Sequence, residues 1–238
     1  MNIDLIVKIL TLVLGSGGLV GMLFHLKSNK AQQKANANEQ FTEKRINSLI
    51  HIKEVVERLR FYELINLVHP EFFNTGFGGF SEDFWVYKSI MENKEALQEF
   101  LQEIMETRVK DEYWISNKLA AALLFLERYI LRMQEFFTRN IFEQDIYPYG
   151  LLFFKDLDRI YVYLIELINN EMNNPPIKNE IHNGKKWESA KDNVEMRFNN
   201  TVLDKLEGND EDTYIILGMM QMTYQQNVLK EPNNHPIS

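Results

Sequence analysis

Residues 151–170 read LLFFKDLDRIYVYLIELINN, and whether this stretch is strand or helix decides the class of the chain. Its centre, Ile160-Tyr161-Val162-Tyr163-Leu164, has the β-branched and aromatic make-up of a buried strand. The surrounding Asp, Glu and Leu residues, with no turn former inside the stretch, favour helix instead. The helix closes at Asn173-Asn174-Pro175-Pro176, where proline cannot continue the backbone ladder.

Working outward, helical periodicity persists in both directions. Upstream, Tyr147-Pro148-Tyr149-Gly150 marks a break. Before it, residues from about Asp111 to Phe142 place Leu119, Leu123, Leu126 and Ile130 on one stripe. A further helical pattern covers approximately Asp83 to Arg108, with Ser81 as its cap and Asn93 as an interior interruption and itself a candidate cap. Pro and Gly make His69–Phe80 (HPEFFNTGFGGF) a loop. Leu49, Ile52, Val56 and Leu59 define an amphipathic helix running to about Val68 and stopped by Pro70. Residues 27–40 (KSNKAQQKANANEQ) are polar helix formers that read as a stalk. Downstream, a polar linker reaches Lys185, and a weaker helix spans Trp187 to Leu206. An acidic loop covers Glu207–Asp212, and a Met-rich helix runs from Thr213 to Leu229. The end, KEPNNHPIS, is a tail. Nothing alternates long enough to demand a sheet, so the expected class is all-α, with a bundle of five to six helices.

The N-terminus adds an expectation of a different kind. Ile3 to Leu26 (IDLIVKILTLVLGSGGLVGMLFHL) carries ionisable side chains only at Asp4, Lys8 and His25. Such a run matches a bilayer core of roughly 30 Å, and it lacks the basic leader and cleavage site of a signal peptide. It reads as a single-pass signal-anchor in the cell membrane. Lys27, Lys30 and Lys34 follow the span, which leaves the body in the cytoplasm. Gly17 and Gly21 form a G-x-x-x-G pair suited to helix association in lipid, and hence to a homo-oligomer. The expected segments are an anchor (1–26), a stalk and first amphipathic helix (27–68), a main bundle (69–174), a linker with C-terminal helices (175–230) and a tail (231–238).

Charge narrows the function. The chain has 26 Lys and Arg against 34 Asp and Glu, a formal net charge of -8. Residues 27–60 hold eight basic and four acidic side chains, and residues 1–26 hold one of each. From Phe61 onward, 17 basic residues therefore face 29 acidic ones. A body this acidic argues against sequence-independent nucleic-acid binding. With no cysteine, disulfides, thiolate nucleophiles and Cys-ligated metals are excluded. The histidines form no Glu-x-x-His set of the kind that binds metal in bundles, so no metal or cofactor is expected.

Arg45 and His51 lie in RINSLIH. Their R-x5-H spacing resembles the short motif of the HEPN ribonuclease superfamily. The resemblance implies a helical dimer whose paired Arg and His cleave RNA, the imidazole moving protons and the guanidinium steadying phosphate charge. It covers seven residues, with Ile46 where a polar residue is usual. The reading set against it, and preferred, is two surface residues on a stalk helix. The glycines of residues 74–80 lack the preceding strand and following Lys of a phosphate loop. Phe72, Phe73, Phe77 and Phe80 therefore serve packing, with insertion into the bilayer near the anchor or a partner site as the alternatives. Met219, Met220 and Met222 read as gap-filling core, with an adaptable partner surface as the alternative. Asp156 and Asp158, two apart on a helix, share no face and read as solvated ion-pair formers. The expected role is a membrane-tethered interaction module with an unidentified protein partner, rather than an enzyme. The alternatives are a tethered HEPN-like ribonuclease or a membrane-perturbing oligomer.

Overall fold

The computed structural model describes residues 3–66, 84–174, 184–207 and 210–227. Within these spans the side chains of residues 3–26, 31, 65–66, 84–85, 184–185, 210–213, 223 and 226–227 lie outside the description. The chain divides into two units, residues 1–47 and 48–238.

The first unit is helical. α1 (Ile3–Glu57) runs unbroken through the polar segment 27–40, whose Ala, Gln and Lys favour helix and which contains no Gly or Pro. The described side chains between Lys27 and Gln40 all face solvent. Among the described residues no helix is long and apolar enough to cross a membrane. The anchor expected over residues 3–26, with its Gly17–Gly21 pair, falls on side chains outside them.

In the second unit the end of α1 sends Leu49, Ile52, Val56 and Leu59 into the core, the stripe its periodicity requires. A short turn over Arg58–Arg60 follows, and then the chain departs from expectation. β1 (Tyr62–Asn66) pairs antiparallel with β2 (Phe84–Lys88), Tyr62 opposite Lys88 and Asn66 opposite Phe84. The helix expected to reach Val68 therefore stops at Glu57, and the one expected from Asp83 begins only at Lys94. The sequence FWVYK is aromatic and β-branched, suited to a half-buried pleat, and β2 is held by packing against a helix distant in sequence.

α2 (Lys94–Asp111) begins where Asn93 caps it, accepting the Ala96 N–H at 2.8 Å. α3 (Asn117–Asn140) begins after Ser116, whose hydroxyl accepts the Leu119 N–H at 3.2 Å. Asp111 thus ends one helix rather than starting the next. The buried carboxylate of Glu171 secures this corner by accepting both the N–H and the hydroxyl of Ser116. α4 (Gly150–Asn173) settles the deciding stretch as helix, with Leu157, Ile160, Leu164 and Ile168 buried. Gly150 opens it because β2 crosses there, and any Cβ at that position would collide with Tyr87.

The chain then forms α5 (Gly184–Arg197), α6 (Val202–Glu207) and α7 (Asp210–Asn227). The single helix expected over Trp187–Leu206 is two. Asn200 breaks it at φ 63°, a left-handed conformation asparagine tolerates. Thr201 and Asp204 restart it as a reciprocal capping box, the Asp204 carboxylate accepting the Thr201 N–H at 2.9 Å. The acidic loop shrinks accordingly, since α6 extends to Glu207 and α7 begins at Asp210. These helices pack on the main bundle. Phe198 stacks on Phe125 of α3 at 4.9 Å, and Val194, Leu203, Leu206, Leu217, Met220 and Tyr224 join the common core. The class is all-α with one two-stranded sheet among the described residues.

Candidate functional site

α7 has two apolar faces, of which one is buried in the core and the other is exposed among the described residues. Leu217, Met220 and Tyr224, spaced i, i+3, i+7, are buried. Tyr224 meets Tyr147 edge to face at 5.3 Å, and Tyr147 meets Tyr87 of β2 at 5.5 Å. This tyrosine stack ties α7 to the sheet. Burial, followed by the hydrogen bond with Tyr147, raises the Tyr224 hydroxyl well above its ordinary range. Burial and then Glu63 push Tyr87 up to about 12.

The opposite face is exposed. Ile215, Met219 and Met222, spaced i, i+4, i+7, remain 59%, 58% and 56% exposed, with Tyr214 beside them at 64%. Surface helices ordinarily oppose their apolar stripe with charge, yet no charged residue occurs between Thr213 and Leu229. By helical spacing Gly218 falls within the exposed stripe, and a Cβ built there meets nothing within 4 Å. Next to Tyr214 a cleft of about 540 Å³ opens between α3 and α6, with Arg132, Glu135, Arg139 and Glu207 on its walls and Phe136 in its lining. Arg132 is held there by Asp204 at 2.9 Å and Glu207 at 2.6 Å.

The three methionines singled out by sequence are thus divided between roles. Met220 fills core, while Met219 and Met222 form outer surface. The four loop phenylalanines, Phe72, Phe73, Phe77 and Phe80, lie outside the described residues.

Arg45 and His51 are not the two surface residues expected. Arg45 is buried, 3% exposed. His51 donates from Nδ1 to the Asp111 carboxylate at 2.6 Å, and that carboxylate is itself buried. The pairing fixes the imidazole tautomer, leaving Nε2 as the acceptor on a half-buried ring. No local signal could have found Asp111, 60 residues away at the end of α2.

Asp156 is less solvated than expected, whereas Asp158 is a half-exposed ion-pair former, as its sequence setting suggests. Asp156 is buried, accepting the Tyr129 hydroxyl at 3.0 Å and the Val202 N–H at 2.6 Å, and so joins α3, α4 and α6. Asp158 pairs at 3.1 Å with Lys88, whose side chain is only 1% exposed and lies 4.3 Å from the Phe154 ring. Burial lowers the Lys88 pKa, with Asp158 opposing that shift. Among the described residues no group of three His, Asp or Glu side chains is placed to hold a metal ion.

Searches against protein-family models, curated proteins and solved structures find no match to this chain. Function must therefore be argued from the site.

Proposed function

We propose that this chain is a membrane-tethered protein-interaction module whose contact surface is the outer face of α7. The observation that carries this reading is the exposed Ile215, Met219 and Met222 stripe on a helix already seated by its other face. Soluble surfaces seldom leave such a stripe without a binding role, and methionine adapts to partners of varied shape. The tether is residues 3–26, an apolar run of bilayer length followed by lysines that hold the body in the cytoplasm.

Two measurements test this in cells. A photocrosslinking residue at Met222 should give a discrete adduct, and the same residue at exposed Glu166 on α4 should not. Indistinguishable products from both positions would remove the contact surface. Deleting residues 3–26 should release the protein from the membrane fraction; unchanged fractionation would remove the tether.

One observation favours a second reading. The Asp111-oriented imidazole of His51 has the form of a general base, as an RNA-cleaving effector would need. His51→Ala should then abolish RNA cleavage by the full-length protein. An inert wild-type protein, or an active variant, ends that reading.

A further inference from the structure

We infer that Lys27, Lys30 and Lys34 form a face on α1 that binds the phosphate headgroups of anionic lipids. This rests on the tether reading, and it gives the three lysines a ligand beyond their part in fixing orientation.

Spacing brings them together. The three residues stand at i, i+3 and i+7 on α1, which places them within about 60° of arc on one side of the helix. Successive members are three and four residues apart, so two ammonium groups can reach one phosphate.

Counter-charge is missing. All three lysines are exposed, and none has an ion pair among the described residues. A helix that is polar on every side is normally steadied by i, i+4 pairs, yet no acidic residue occurs between Asp4 and Glu39 to form one. Lys30 and Lys34, at i, i+4, repel each other instead. In the second unit, by contrast, Arg58, Arg108 and Arg132 each hold a carboxylate. An anion from outside the chain would relieve the repulsion along the stalk.

Direction selects the anion. Side chains on an α-helix tilt toward its N-terminus, and the N-terminal part of α1 is the apolar run of residues 3–26. The lysines therefore lean back toward the bilayer surface. Lys27 follows the run directly, and Lys34 stands about 10 Å further along the axis at 1.5 Å per residue. Headgroups occupy roughly 5–8 Å on each side of the hydrocarbon core, and the flexible four-carbon stem of lysine covers the remainder. Attraction to anionic headgroups acts over a Debye length of about 8 Å. A nucleic acid extending past the stalk would also meet the body, where 17 basic residues face 29 acidic ones from Phe61 onward. A lipid headgroup meets the lysines alone.

The test places the full-length chain in nanodiscs of phosphatidylcholine and phosphatidylglycerol, and identifies by native mass spectrometry the lipids it retains on release. The wild type should keep phosphatidylglycerol over phosphatidylcholine by at least about tenfold. Lys27→Gln, Lys30→Gln and Lys34→Gln together should abolish that preference, since glutamine keeps the helix and removes the charge. The same change at Lys110, Lys155 and Lys205, exposed on the second unit, should leave it intact. Arginine at the three stalk positions should preserve it.

Equal retention of the two lipids by the wild type overturns the proposal, as does equal loss from both glutamine variants. Oligouridylate that binds the wild type in phosphatidylcholine nanodiscs, but not the stalk variant, would assign the lysines to nucleic acid and also overturn it. A chain that enters the discs without lipid preference removes the headgroup face and leaves the tether standing. A chain that stays in solution, away from discs of either lipid, removes the tether and the headgroup face together.

Discussion

α4 and α7 are both rich in large apolar residues, but they spend them differently. α4 buries Leu157, Ile160, Leu164 and Ile168 and turns Lys155, Arg159 and Glu166 to solvent. Its apolar stripe is buried inside the chain, and Val162 is left 46% exposed beside it. α7 buries Leu217, Met220 and Tyr224, then presents Ile215, Met219 and Met222 where charges would normally stand. The contrast separates two reasons for hydrophobic residues on a helix. One face stabilises the fold by leaving water, and under the proposed function the second face keeps that free energy for a partner.

The comparison breaks most directly by truncation. Leu164→Ala in α4 should cost about 2–5 kcal/mol of unfolding free energy. Met222→Ala on the outer face of α7 should stay within about 0.5 kcal/mol. Urea unfolding of the full-length chain measures both, and similar losses would mean that the α7 stripe is core after all. Next in size is Asp156→Ala, which leaves the Tyr129 hydroxyl and the Val202 N–H without their shared acceptor. It should cost about 1–3 kcal/mol and speed amide exchange in α6 more than in α2.

A pH series sharpens the contrast from another side. Burial, helped by nearby carboxylates, holds the hydroxyls of Tyr87 and Tyr149 at about 12 against the ordinary 10.0. Both pKa values are raised in the folded state, so their contribution is fully present below pH 10 and is lost as pH climbs from 10 to about 12. Tyrosinate absorbance should therefore show these two ionising together with unfolding, and Tyr87→Phe should blunt the alkaline loss. An unfolding free energy constant across that range would contradict their burial. The smallest effect is a gain. Gly218→Ala should stabilise the isolated chain by about 0.5–1 kcal/mol, because the methyl group enters open space. A loss would show that the glycine serves the fold and not an arriving partner.

What the sequence made legible was local. The Asn93 cap and the helical centre of α4 lie in patterns a few residues long, and the structure places both where those patterns put them. The Thr201-x-x-Asp204 box was equally visible and would have divided the helix expected over Trp187–Leu206. What was not legible depends on pairs distant in the chain. Tyr62–Asn66 and Phe84–Lys88 are each too short to announce a strand, and they define one only through their pairing. His51 finds Asp111, and Lys88 finds Asp158, across 60 and 70 residues. The α7 surface stood between these cases. Its methionines were conspicuous, but which of them faced inward depended on the seat provided by Tyr147.

Lys88 also sets a clock. Its amine is paired with Asp158 and sealed against Phe154, with 1% of the side chain accessible. Acylating reagents must therefore wait for β2 to lift from α4. Once it lifts, burial no longer acts on the amine and it reacts as a surface lysine does. The rate at which Lys88 is labelled, compared with the other lysines, thus counts openings of the sheet and gives the lifetime of one joint in the fold.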